Sequence, residues 1–176
     1  MLNPPSIEQN TAFEQPPPDG ILDRAGLFQR SPEIRANIAG HIRQLREERG
    51  FLIYILIESV FVQGDPQTMA AGLREKWIPD GNGLVFVFEV DSRQFSVGQR
   101  LEQTVTQDGS IEGVPSYVTT AVLAQASADA KKNPLSPEGF LDVFVTRVAD
   151  GLNGYFHRKD SPLPEGRTLR LGMIIV

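Results

Sequence analysis

The chain has 176 residues, enough for one domain that buries roughly 70% of its unfolded surface. Hydrophobic residues make up 40% and charged residues 22%, and cysteine is absent, so disulfide scaffolds, thiol nucleophiles and thiolate zinc sites are excluded. With 17 Lys and Arg against 22 Asp and Glu the net charge is −5, which argues against a nucleic-acid partner, whose phosphates need a basic patch.

Residues 1–18 read as a poorly ordered, Pro-rich lead ahead of a single domain over 19–176, because low hydrophobicity and Pro16-Pro17-Pro18 favour extended chain. Residues 1–20 hold no Lys or Arg and no apolar stretch, so no signal peptide is read there. Either the protein is cytoplasmic or its targeting segment lies outside this chain. A helix is expected from Pro32 to Arg49, with Ser31 as cap, Pro32 at the first position and Gly50 at the end. Ile34, Ile38, Ile42 and Leu45 form its apolar face. Phe51–Ile57 is apolar at every position, as a strand covered on both faces would be, and too short to cross a bilayer.

Asp65-Pro66 opens a second helix with Met69, Leu73 and Trp77 at spacing four. After the turn signal Pro79-Asp80-Gly81-Asn82-Gly83 come strands Leu84–Val90 and Arg93–Val97, joined by Asp91-Ser92 as a two-residue hairpin connection. Pro115–Lys131 is expected as a helix with Val118, Val122 and Gln125 in line. Ser136-Pro137 starts another, with Phe140, Phe144, Val148 and Tyr155 on one face, and Leu169–Val176 is a last strand. This alternation predicts an α/β fold: a central, mostly parallel sheet of about four to five strands flanked by helices on both faces.

No phosphate-cradling loop, G-x-S-x-G elbow or H-E-x-x-H motif occurs, so no nucleotide, haem or zinc is expected. His41 reads as a boundary residue of its helix and His157 as a last-turn residue suited to the helix dipole. Acidic residues gather where strands should end: Glu58, Asp65, Glu89, Asp91, Glu102 and Asp108. In open α/β sheets the functional crevice lies there. Carboxylates converging without His or Cys would select Ca²⁺ or Mg²⁺. The bland alternative is turn and cap residues on a wet rim.

The order of these segments resembles the TPM domain family, which includes a thylakoid-lumen protein of photosystem II repair and many bacterial envelope proteins. Ile21-Leu22-Asp23-Arg24-Ala25-Gly26-Leu27-Phe28 matches its V-x-D-x-A-G-x-L opening. Glu48-Arg49-Gly50 before Phe51–Ile57, Lys76-Trp77-Ile78, and Gly81-Asn82-Gly83-Leu84-Val85-Phe86 follow in family order. Asp91-Ser92-Arg93 with Val97-Gly98-Gln99-Arg100-Leu101-Glu102 matches its D-R-x-x-x-I-x-x-G-x-G-L-E signature. Arg100 replaces the second Gly of that signature, and the following Asp falls one residue late, at Asp108.

The resemblance covers residues 20–112 and implies an extracytoplasmic domain, periplasmic or lumenal, that assists assembly or maintenance of membrane protein complexes. Its alternative implication is a weak divalent-metal-dependent acid phosphatase acting on phosphomonoesters. Asp23, Asp91, Glu102 and Asp108 would then hold Ca²⁺ or Mg²⁺, and Arg93 or Arg100 would bind phosphate. No catalytic nucleophile is assigned.

Overall fold

Periodic apolar residues and well-placed helix stops divide the chain into short strands and amphipathic helices. The computed structural model describes residues 15–62, 64–99, 107, 113–132 and 136–161. Within them lie β1 (Ile21–Asp23), α1 (Pro32–Arg49), β2 (Phe51–Glu58), α2 (Pro66–Trp77), β3 (Asn82–Glu89), β4 (Gln94–Gly98), α3 (Ser116–Lys131) and α4 (Pro137–Asp160). The expected strand Leu169–Val176 and residues 1–14 of the expected lead fall outside the described residues. The rest of that lead is tied down. Pro17 is buried, and its carbonyl accepts from the Gly20 amide at 3.0 Å.

The helix boundaries follow from local chemistry. Gly50 adopts φ 63°, the left-handed conformation that costs an L side chain stability, and its amide returns to the Arg46 carbonyl. Asp65 caps α2 by accepting from the Gln67 amide at 3.2 Å and the Thr68 amide at 3.3 Å. Ser31 does not cap α1 with its side chain. Its carbonyl receives the Ile34 amide instead, and Pro32 supplies the first-turn conformation.

The strand order is β1-β2-β3-β4, with β1, β2 and β3 mutually parallel and β4 antiparallel to β3. The sheet is therefore mixed rather than mostly parallel, and among the described residues it has four strands, within the expected four to five. The expected hairpin after Glu89 makes β4 the antiparallel member, and its turn takes four residues, 90–93, rather than two.

Alternation along β2 sends Ile53, Ile55 and Ile57 to one face and Leu56 to the other. The first face packs on Ile38, Ile42 and Leu45 of α1 and on Phe140, Phe144 and Val148 of α4. The second packs on Ala70, Leu73 and Trp77 of α2. Each fully buried Ile, Leu or Phe contributes about 1.5–3 kcal/mol. Helices thus cover both faces. Because β1, β2 and β3 step in one direction while α1 and α2 lie on opposite faces, one of the two crossovers is left-handed, against about 98% of such units.

Two helix faces differ from expectation. In α4 the buried line runs Phe140, Phe144, Val148, Leu152, and Tyr155 is only half-buried. In α3 the buried residues are Thr119, Ala126 and Ala130 rather than Val118, Val122 and Gln125.

Candidate functional site: the carboxyl ends of the parallel strands

Three parallel strands end on acids: Asp23 on β1, Glu58 on β2 and Glu89 on β3. Glu58 and Glu89 stand directly opposite each other in the ladder. Each carboxylate already has partners. Asp23 Oδ1 accepts from the Leu27 amide at 3.0 Å and Oδ2 from the Phe28 amide at 3.1 Å, curling the β1–α1 connection. The Arg24 amide donates to the Ile57 carbonyl at 3.0 Å. Its guanidinium Nε then lies 3.2 Å from Glu58 Oε1.

The β2–α2 loop is fastened to the end of β3. Glu89 Oε2 accepts from the Phe61 amide at 2.9 Å, the Val90 amide donates to the Glu58 carbonyl at 2.9 Å, and the Asp91 amide donates to the Ser59 carbonyl at 3.1 Å. Phe61 packs toward the α2 side of the core. Val60 and Val62 on either side of it are 49% and 85% exposed.

The electrostatics separate the two opposed glutamates. Burial pushes the Glu58 carboxyl above the ordinary glutamate value, and the Arg24 charge offsets part of that rise. The Ser92 hydroxyl and the Phe61 amide hold Glu89 below it. Asp65 is likewise lowered, first by the Thr68 hydroxyl and then by the Gln67 amide.

Of the expected ligand set, Glu102 and Asp108 lie outside the described residues, as does Arg100. Asp23 is committed to two backbone amides, and Asp91 is an exposed turn residue beyond β3. Among the described residues no three His, Cys, Asp or Glu side chains come together to hold a metal ion. Arg93 is exposed at φ 55°, the one described non-glycine residue at positive φ. Sequence reasoning named Glu58 and Glu89 as strand-end acids but did not pair Arg24 with Glu58. The available signal was position, since Arg24 extends β1 beside the end of β2.

No family model matches the chain, and no curated protein matches it. Two solution NMR structures are similar. One is the N-terminal domain of a Corynebacterium glutamicum protein, at 17% identity and TM-score 0.50, covering 87% of this chain and 85% of that one. The other is the N-terminal domain of a P. gingivalis protein, at 17% identity and TM-score 0.51, covering 86% of this chain and 89% of that one. At this identity the likeness establishes a shared α/β fold, and function has to be argued from the site. No helix among the described residues is long and apolar enough to cross a membrane.

Proposed function

We propose that the protein is an extracytoplasmic interaction module that assists assembly or maintenance of membrane complexes, with the β2–α2 loop as its contact surface. The observation that carries this reading is the outward display of Val60 and Val62 on a backbone fastened by Glu89, Asp91 and Ser59. Loops held on a rigid scaffold are where binding residues concentrate. Ordering the loop in advance lowers the entropy lost when a partner docks. The engagement of Asp23 by two amides favours this display role over metal-dependent phosphatase chemistry. Location in the periplasm or lumen rests on the resemblance of residues 20–112 to the TPM domain family.

The test is site-specific photo-crosslinking in native membranes, with the reactive residue at Val62 and, as control, at the exposed Glu47 on α1. Capture of a membrane-complex subunit from position 62 alone, lost when Val60 is changed to Ser, is the expected result. Equal background from both positions would reject the proposal.

A further inference from the structure

Among the described residues β4 is an edge strand and leaves part of the α4-covered side of the sheet open. Between β4, α3 and α4 lies a cleft of about 540 Å³, a volume suited to a small organic molecule. Its floor is aromatic. Phe95 stacks on Phe144 with centroids 3.9 Å apart and on Phe140 at 5.8 Å, and Leu123 of α3 adds an apolar wall.

Two cations from different elements also line it: Arg93 in the β3–β4 turn and Lys131 in the last turn of α3. Among the described residues neither side chain forms an ion pair or hydrogen bond, whereas the adjacent Lys132 pairs with Asp129 at 3.1 Å. Two positive side chains without an ion-pair partner thus flank an apolar floor in a chain of net charge −5. Arg93 is also held in a backbone conformation that glycine would occupy without strain, and such strain concentrates at functional positions.

We propose that this cleft binds a small amphipathic organic anion, independently of the β2–α2 loop. An aromatic or short acyl body lies on Phe95, Phe140 and Phe144, and a carboxylate, sulfonate or phosphate head is drawn to Arg93 and Lys131. Burying the body supplies affinity, and the paired cations select the charge.

Titration of the full chain with anilinonaphthalene sulfonate, followed by its fluorescence, tests this directly, with neutral N-phenylnaphthylamine as comparison. The expected result is saturable binding of one sulfonate dye per chain and much weaker binding of the neutral one. Arg93→Gly and Lys131→Ala should each weaken the sulfonate dye about tenfold, and added salt should weaken it further. Arg93→Gly should do so with an unfolding midpoint equal to wild type or about 1–4 °C higher, since it relieves backbone strain. Ala124→Phe, which fills the cleft, should abolish binding. Octyl phosphate should displace the dye, and inorganic phosphate alone should not. No saturable signal, equal affinity for the neutral dye, indifference to all three variants, or equal displacement by inorganic phosphate would each overturn the proposal.

Discussion

Arg74 joins the end of α2 to the start of β3, and its removal should unfold the protein more readily than any surface change. The residue is only 6% exposed. Its Nε donates to the Gly83 carbonyl at 2.9 Å, Nη2 to the Gly81 carbonyl at 2.8 Å, and Nη1 to the Ile78 carbonyl. Hydrogen bonds from a charged donor contribute about 1.5–3 kcal/mol each. Three would sum to several kcal/mol, but water can replace the guanidinium at Gly81, which is half-buried. Deleting the side chain also returns the cost of keeping a cation out of water. The net loss for Arg74→Ala is therefore about 3–4 kcal/mol, a midpoint fall of about 6–16 °C in a domain of this size.

Arg74→Met keeps most of the aliphatic volume and should still lose about 2–3 kcal/mol, which separates hydrogen bonding from packing. Urea unfolding can be followed by Trp77, the one tryptophan of the chain, which is 5% exposed, lies one turn from Arg74 and stacks edge-on with Tyr54 at 5.6 Å. An Arg74→Met variant within about 1 kcal/mol of wild type, at unchanged denaturant slope, would refute the reasoning.

Gly98→Ala should cost about 2–4 kcal/mol, because the added Cβ would stand 2.1 Å from the Ala70 carbonyl oxygen, whereas Gly72→Ala, with nothing within 4 Å, should stabilise α2 by about 0.5–1 kcal/mol; thermal melts of both check the contrast. Glu58 and Glu89 should titrate on opposite sides of 4.5. Burial makes the folded state keep the Glu58 proton longer than the unfolded chain does, so that group's contribution to stability falls as pH rises from 4.5 through its folded pKa. Glu89 contributes stability above 4.5 that is lost as pH falls through its lowered pKa, and carboxyl NMR shifts placing Glu89 above Glu58 would contradict this. Ca²⁺ or Mg²⁺ at millimolar concentration should leave the unfolding midpoint of the protein where EDTA leaves it. A specific site at 100-fold excess over its Kd would add about 2.7 kcal/mol, so a saturable rise of several degrees would restore the phosphatase alternative.

The elements legible in the sequence are those whose signals are local. Pro32, the Ile34–Leu45 spacing and Gly50 mark α1 because capping and periodicity act within a few residues. The unbroken apolar runs of β2 and β3 declare strands covered on both faces. β1 has only three residues and no room for alternation, so it emerges from pairing with Ile55, Leu56 and Ile57. The buried face of α3 is written in Thr119, Ala126 and Ala130, whose small side chains carry almost no hydropathy contrast. At the site, the acids were visible but their roles were not. An acid that holds a loop and one that holds a metal occupy the same strand-end positions, and the Leu27 and Phe28 amides that claim Asp23 depend on how the loop curls. The cleft draws Arg93, Lys131, Phe140 and Phe144 from three segments, a juxtaposition that only tertiary packing creates.

The Glu58–Glu89 pair invites a catalytic reading, since neighbouring carboxyls with pKa values pushed apart are a signature of acid and base roles. Their partners argue for a different use. Two like charges facing each other across a parallel ladder would destabilise the sheet end unless each were neutralised or held apart. Arg24 answers Glu58 from the β1 side, while Ser92 and the Phe61 amide answer Glu89 from the β3–β4 turn and the β2–α2 loop. Among the described residues each connection at this end of the sheet is thus recruited to satisfy a carboxylate: the β1–α1 segment through Asp23 and Arg24, the β2–α2 loop through Phe61, the hairpin through Ser92. Repulsion between the acids becomes a reason for the loops to be ordered. The ordered loop then presents Val60 and Val62 outward, which on the proposed function makes the strand-end acids supports for its contact surface.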